Sequence, residues 1–321
     1  MRILLYLSYR DYAIKGNFPS PSLFATDINY VQDIIEKSIL KFCPSRRPNI
    51  LLSTYTECFV HSICNTATID FQLPGKQKIE DLNTPWFKFN MNKILYDSKR
   101  TMRVLDAKFV HDAFDPKLAT NRTYIYRFIS GEYPVLNTIE EHLTTYIPCQ
   151  REQSLCLNRL NEAISIINNN MYDYSSFTTP EARQLLKQNQ VSTKRKLKVK
   201  MYDSTQLFQE VDINKKNKNH AFSIELTTSN FLYQMVRRLS TCLIQIGQGL
   251  LNLNDLKSML THQMEYQPMD GLLNLNGLYL KNVEYNERDF NRYVTVTTST
   301  TTTSSKLRKI DPLAPIMTGE E

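Results

Sequence analysis

Few side chains in this 321-residue chain stand in patterns that could do chemistry. The stretch Ser53-Thr54-Tyr55-Thr56-Glu57-Cys58-Phe59-Val60-His61-Ser62 carries one carboxylate, with an imidazole four positions later. A carboxylate can serve as nucleophile or base when a nearby cation keeps it ionised in a partly dry pocket. Taken alone, Glu57 reads as a surface acid, because an isolated Glu is mostly solvated. Arg237 and Arg238 are adjacent, so only one of them can face a given cleft. The six cysteines (Cys43, Cys58, Cys64, Cys149, Cys156 and Cys242) include no Cys-x-x-Cys pair and no zinc-type spacing. They predict no metal site, and reduced, mostly buried thiols in a cytosolic-type compartment.

The net charge of +7 favours a polyanionic partner, though weakly. Positive charge gathers at Lys194, Arg195, Lys196, Lys198 and Lys200, and again at Lys215, Lys216 and Lys218. Such a run is a solvated face, an edge strand guarded by Lys against aggregation, or an RNA contact. With 18 Tyr and 15 Phe available for stacking, RNA gains weight. No stretch approaches the roughly 18 apolar residues of a membrane span. The opening apolar run is short and is followed at once by Arg10 and Asp11. It reads as a strand, not a signal peptide, and no Arg-rich leader precedes it.

The elements that must position these groups follow from periodicity. Residues 2–9 read as a strand. Residues 27–42 read as a helix with Ile28, Val31, Ile35, Ile39 and Phe42 on one stripe and Asp27 at its positive end. Strands are expected at 49–53 and 66–71, a helix after Thr84-Pro85 over 85–97, and strands at 102–110 and 123–129. Leu157, Leu160, Ile164 and Ile167 mark a helix that stops at the Asn168 run, and Thr179-Pro180 opens another. Residues 194–202 and 220–227 read as strands. Asn230 is the expected cap of a long helix carrying Leu232, Met235, Leu239, Leu243 and Ile246. The order predicts an α+β chain, two related α/β halves around a central, mainly antiparallel sheet. The Thr/Ser-rich tail over 291–321 lacks an apolar period and reads as disordered.

Four segments in order resemble the tRNA pseudouridine synthase A (TruA) family, nearest to its eukaryotic pseudouridine-synthase-like branch. Residues 53–62 lie where the family has Ser-Arg-Thr-Asp-x-Gly-Val-His-Ala. Residues 114–126, ending Asn-Arg-Thr-Tyr-Ile-Tyr, lie where it has Phe-x-x-Arg and then Ser-Arg-x-Tyr-x-Tyr. Residues 230–238 (Asn-Phe-Leu-Tyr-Gln-Met-Val-Arg-Arg) are close to Phe-Leu-x-x-Met-Val-Arg. Gly277-Leu278-Tyr279-Leu280, with Val283 and Tyr285, matches Gly-Leu-x-Leu-x-x-Val-x-Tyr. A weaker fifth, residues 171–177, resembles His-Asp-Phe-x-x-Phe.

The resemblance implies an isomerase that converts uridine to pseudouridine in tRNA or other structured RNA, without a cofactor. It implies an active-site cleft between the two halves: an N-terminal subdomain over 1–108 carrying the Glu57 loop, and a C-terminal one over 109–290. Carried over residue by residue, Glu57 is the catalytic carboxylate, Arg237 its ionic partner and Tyr124 the ring that stacks on the flipped base. Leu278 lies in an apolar wall near the base. Tyr55, His61, Lys117 and Arg122 belong to segments that support the loop or hold RNA. Compartment is expected to be the cytoplasm, with mitochondria and nucleus as the branch's alternatives. Monomer and homodimer are equally open.

Several positions depart from the family pattern. Glu57 replaces Asp, adding a methylene and displacing the carboxylate by about an ångström, enough to cost roughly a hundredfold in rate. Tyr55 replaces an Arg, Lys117 replaces another, and Asp11 stands for a Gly of the first strand. Phe59 replaces a turn Gly, where a positive φ would cost about 1–2 kcal/mol. Scaffold segments match better than active-site ones. A catalytically impaired or inactive RNA-binding relative is therefore the alternative reading, and an unrelated RNA-recognition module a more distant one.

Overall fold

The computed structural model describes residues 2–10, 28–57, 59–70, 84–131, 143–148, 155–168, 170–204, 220–268 and 274–291. Asp11, Asp27, Cys58, Cys149, Lys215, Lys216, Lys218 and the tail beyond 291 lie outside them. In chain order the elements are β1 (Arg2–Tyr9), α1 (Ile28–Leu40), β2 (Asn49–Leu52), β3 (His61–Asp70), α2 (Thr84–Asp97), β4 (Met102–Val110), β5 (Asn121–Gly131), β6 (Thr145–Pro148), α3 (Leu157–Ile167), β7 (Met171–Asp173), α4 (Pro180–Gln188), β8 (Lys194–Lys196), β9 (Lys198–Asp203), β10 (His220–Thr228), α5 (Met235–Gly247), α6 (Leu253–Leu260), β11 (Leu278–Glu284) and α7 (Glu287–Asn291). The fold is α+β, with a large, mainly antiparallel sheet. Two compact units divide the chain: Met1–Asn121 with Leu280–Glu321, and Arg122–Tyr279.

In the first unit β1 lies antiparallel to both β3 and β4, and β2 pairs with β3. The apolar period of each element meets on one face. Ile3, Leu5, Leu7 and Tyr9 of β1 pack with Val31, Ile35 and Ile39 of α1 and with Phe87, Met91 and Leu95 of α2. Phe42, just past α1, stacks on Phe87 with centroids 5.4 Å apart. Arg2 forks onto Asp70 with bonds of 2.7 and 2.8 Å and donates to the Phe114 carbonyl. That fork holds the Asp70 carboxyl below its usual range. Asn92 of α2 pins β4, its amide spanning both the N–H and C=O of Val104.

In the second unit β5 and β9 flank β10 antiparallel, and β6 runs parallel to β5. Helix α3 buries Leu160, Ile164 and Ile167 as its spacing predicts, and Ala163 with them, while Leu157, expected on the same stripe, is exposed. Thr179 caps α4, accepting from the Ala182 N–H at 3.2 Å. Asn168, at the end of α3, grips the N–H and C=O of Val199 on β9, as Asn92 grips Val104.

Four expectations are corrected. The strand over 194–202 is two strands: β8 pairs with β7 in a small sheet, β9 with β10, and buried Leu197 is the pivot. The helix expected from Asn230 begins at Met235, because Gln234 takes a left-handed conformation (φ 55°) that no helix continues through. The strand at 66–71 already starts at His61. Among the described cysteines only Cys242 is buried; Cys43 is exposed, and Cys64 and Cys156 are half-buried, though all four are free thiols. Helix α6, opened by a capping box in which Asn252 accepts from Asn254 and Asp255 while Asp255 accepts from Asn252, was a readable signal that periodicity alone passed over.

Candidate functional site

The Glu57 loop leaves β2 and re-enters at β3. One amide is central to its hold. Asn65, fully buried, donates to the Tyr9 hydroxyl at 3.0 Å and to the Thr54 carbonyl at 2.9 Å. Its oxygen accepts from the Ser53 hydroxyl at 2.9 Å and the Thr66 N–H at 2.8 Å. Tyr9 is in turn bonded to the Thr56 hydroxyl at 2.9 Å, next to Glu57. Every polar atom of Asn65 is used, which fixes the loop's neck on both sides. Val60 N–H then closes a turn on the Glu57 carbonyl at 3.1 Å. Phe59, where the resemblance has a Gly, has φ 65° and is 39% exposed. The turn therefore keeps a glycine-type backbone while carrying a Phe. Glu57 is half-buried; Tyr55 is half-buried against the unit's core, and burial raises its hydroxyl pKa. His61, 2% exposed, is set inside the scaffold at the start of β3.

Lys117 sits in a 3₁₀ turn, Pro116–Leu118, capped by Asp115, which accepts its N–H at 2.9 Å. Tyr285, the last residue of the fourth matching segment, ties this turn to β3: its hydroxyl bonds to the Pro116 carbonyl at 2.7 Å and to the Thr66 hydroxyl at 2.6 Å.

The second unit presents its candidates around the connector from β10 to α5. Two guanidiniums clamp that connector. Arg122 donates to the Ser229 carbonyl at 2.7 Å and Arg195 to the Asn230 carbonyl at 2.9 Å. Arg122 is 4% exposed, so this clamp is its visible work. The clamped turn delivers Phe231, which meets Tyr124 edge-on with centroids 5.1 Å apart and planes at 84°. Tyr124 is 9% exposed, so only a small part of the ring is open to a base. Arg237 and Arg238 stand in the first turn of α5, which has no acid. That end of a helix is already positive, so two cations there favour an anion alongside. Burial, then Arg183 and Arg237, lower the Arg238 pKa. Arg237 also acts on Tyr126, whose hydroxyl is pushed far up by burial while it bonds to Thr145 and the Asn274 carbonyl.

Leu278 is 3% exposed at the start of β11. The glycine before it has a physical reason: a Cβ on Gly277 would lie 2.0 Å from the Arg127 carbonyl oxygen of β5. Tyr279 follows, with the Arg127 guanidinium 4.7 Å from its ring. Tyr55, Glu57, His61 and Lys117 thus belong to the first unit, and Arg122, Tyr124, Arg237 and Leu278 to the second. Sequence reasoning missed Asn65 and Arg195 as positioning residues; β3 also carries His61, Ser62, Thr66 and Thr68, so Asn65 does not stand out within it. Among the described residues no group of three His, Cys, Asp or Glu side chains is placed to hold a metal ion.

Residues 173–286 match the family described as tRNA pseudouridine synthase, a span that contains Arg237, Gly277 and Leu278. A tRNA pseudouridine synthase-like 1 from Xenopus laevis is 25% identical over 310 residues, covering 91% of this chain and 94% of that protein. A tRNA pseudouridine synthase A from Latilactobacillus sakei is 26% identical, covering 79% of this chain and 89% of its own. The human tRNA pseudouridine synthase-like 1 is 26% identical, with coverages of 79% and 81%. Over most of its length the chain is thus similar to proteins named tRNA pseudouridine synthase-like 1 and tRNA pseudouridine synthase A, and over residues 173–286 to the tRNA pseudouridine synthase family.

Proposed function

We propose that the protein is a tRNA pseudouridine synthase. It breaks the bond between uracil N1 and ribose C1′ and forms one from C5 to C1′; C5 loses a proton and N1 gains one, so no cofactor is consumed. Glu57 is the attacking carboxylate and Arg237 the cation that keeps it ionised. Tyr124 holds the flipped uracil by stacking, and Leu278 belongs to the apolar wall beside it. Tyr55 and Lys117 face the incoming RNA, while His61 and Arg122 act by holding the segments that carry the site. The domain divides into two related halves, 1–108 and 109–290. The compartment is the cytoplasm, where tRNA is at hand. Among the described residues no helix is long and apolar enough to cross a membrane.

The observation that carries this reading is the first turn of α5. Two arginines and no acid stand at a positive helix end, within the stretch that matches the family. The test is nucleoside analysis of tRNA transcripts after incubation with the recombinant protein. Pseudouridine is expected with wild type, with a loss of more than about a thousandfold in Glu57→Gln, the scale of losing a covalent nucleophile. No pseudouridine with any transcript, alongside salt-sensitive binding, would overturn catalysis and leave a non-catalytic RNA-binding relative.

A further inference from the structure

The lysine run over 194–200 is unused by the site, and its geometry is unusual for a run that changes sheets. Lys194 and Lys196 on β8 and Lys198 and Lys200 on β9 are all exposed. The residues between them turn inward: Arg195 is half-buried, and Leu197 and Val199 are 1% and 2% exposed. The alternation survives the pivot at Leu197, so four ammonium groups line one ridge. At about 3.3 Å per residue, successive lysines stand about 6.6 Å apart and the ridge runs about 20 Å.

Glu225 stands opposite Lys200 in register and Asp173 opposite Lys194, yet none of the four lysines forms an ion pair among the described residues. Asp173 instead accepts the Ser175 N–H at 2.9 Å. Protection of a bare strand edge is a poor account of the ridge, because the Val199 N–H and C=O on the outer side of β9 are already taken by Asn168.

We propose that this ridge binds the phosphodiester backbone of the RNA substrate, as a contact separate from the target uridine. The proposal rests on the RNA-modifying function proposed above. Unpaired, evenly spaced ammonium groups suit a regularly spaced row of phosphates, and each phosphate neutralised releases counterions. The same strand's inward residue, Arg195, clamps the Asn230 carbonyl, so RNA on the ridge presses on the strand that holds the connector to Arg237.

The experiment uses the full chain with Lys194, Lys196, Lys198 and Lys200 all changed to Glu. A matched control changes the exposed Lys93, Lys99, Lys187 and Lys257 to Glu. Filter binding of a tRNA transcript is measured across NaCl concentrations. For the ridge variant, Kd is expected to rise more than about tenfold at 0.15 M salt, and the slope of log K against log salt to fall by about 3. The control should shift far less. An unchanged Kd and slope in a ridge variant with wild-type circular dichroism overturns the proposal, as does an equal loss in the control. Should the Glu variant fail to fold, the four-Gln variant gives the same reading at reduced size. Absence of pseudouridine would count against the catalytic reading alone, since binding is read without turnover.

Discussion

The Glu57 loop and the connector before Arg237 solve one problem with opposite chemistry. Each presents a charged side chain close to a left-handed residue, Phe59 at φ 65° and Gln234 at φ 55°. Backbone of that kind persists only where the surroundings over-determine it. The loop is over-determined by a neutral amide, Asn65, buried and using all its bonds. The connector is over-determined by cations, Arg122 and Arg195, acting on backbone carbonyls. A carboxylate would be misplaced beside clamping cations, which would capture it. The clamping guanidiniums keep their charge, and the carbonyls they bond supply the acceptors that their burial requires.

The comparison can be broken by removing each hold. Asn65→Ala strands the Thr66 N–H and the Thr54 carbonyl and should cost about 3 kcal/mol, read as a drop in the urea midpoint. Arg122→Met leaves the Ser229 carbonyl without this donor and should cost about 2 kcal/mol, with turnover falling more than stability. If Arg122→Met proves the more costly, the ranking of amide over cation is wrong. Phe59→Gly should stabilise by about 1 kcal/mol, because the turn is left-handed and the ring is exposed. Gln234→Gly should gain less, since Gln234 accepts a long bond (3.4 Å) from Arg238. A loss of midpoint in Phe59→Gly would show that the ring packs usefully after all.

The smallest effect separates the units by acid. Asp70 is held low by Arg2, and Asp173 is held low, against burial, by Ser175 and Thr193. A carboxyl depressed in the folded state adds stability above the unfolded value of about 3.9, and that stability is lost as pH falls through the lower folded value. Asp70→Asn and Asp173→Asn should each flatten the acid limb of a stability–pH curve by less than about 1 kcal/mol. Added salt should shrink the Asp70 effect and leave that of Asp173, which rests on N–H and hydroxyl donors. Equal salt sensitivity would argue against this division.

Much of the scaffold was legible because its signals are local. The α1 stripe, the Thr179-Pro180 start and the Asn168 stop each depend on residues within a turn of one another. The start of α5 was not legible: Asn230 has the side chain of a cap, while Gln234 is not a type that announces a left-handed backbone. The lysine run hid its break because its alternation continues unchanged while the pairing partner switches from β7 to β10. At the candidate site, the residue types at 57, 124 and 237 could be read through a family pattern. The Asn65 network could not, since its members lie as far as 56 positions apart and meet only in the folded chain.

The first unit is assembled from both sides of the second in sequence. On a ribosome, residues up to Asn121 emerge first, and roughly 160 more must follow before Leu280 appears. At 5–20 residues per second this is a wait on the order of ten to thirty seconds. Throughout it β3 lacks its β11 neighbour, and Thr66 and the Pro116 carbonyl lack the Tyr285 hydroxyl. The second unit, continuous in sequence, can finish before the first. The nascent chain therefore carries an open strand edge for most of its synthesis, and its half with the candidate nucleophile is the last to close.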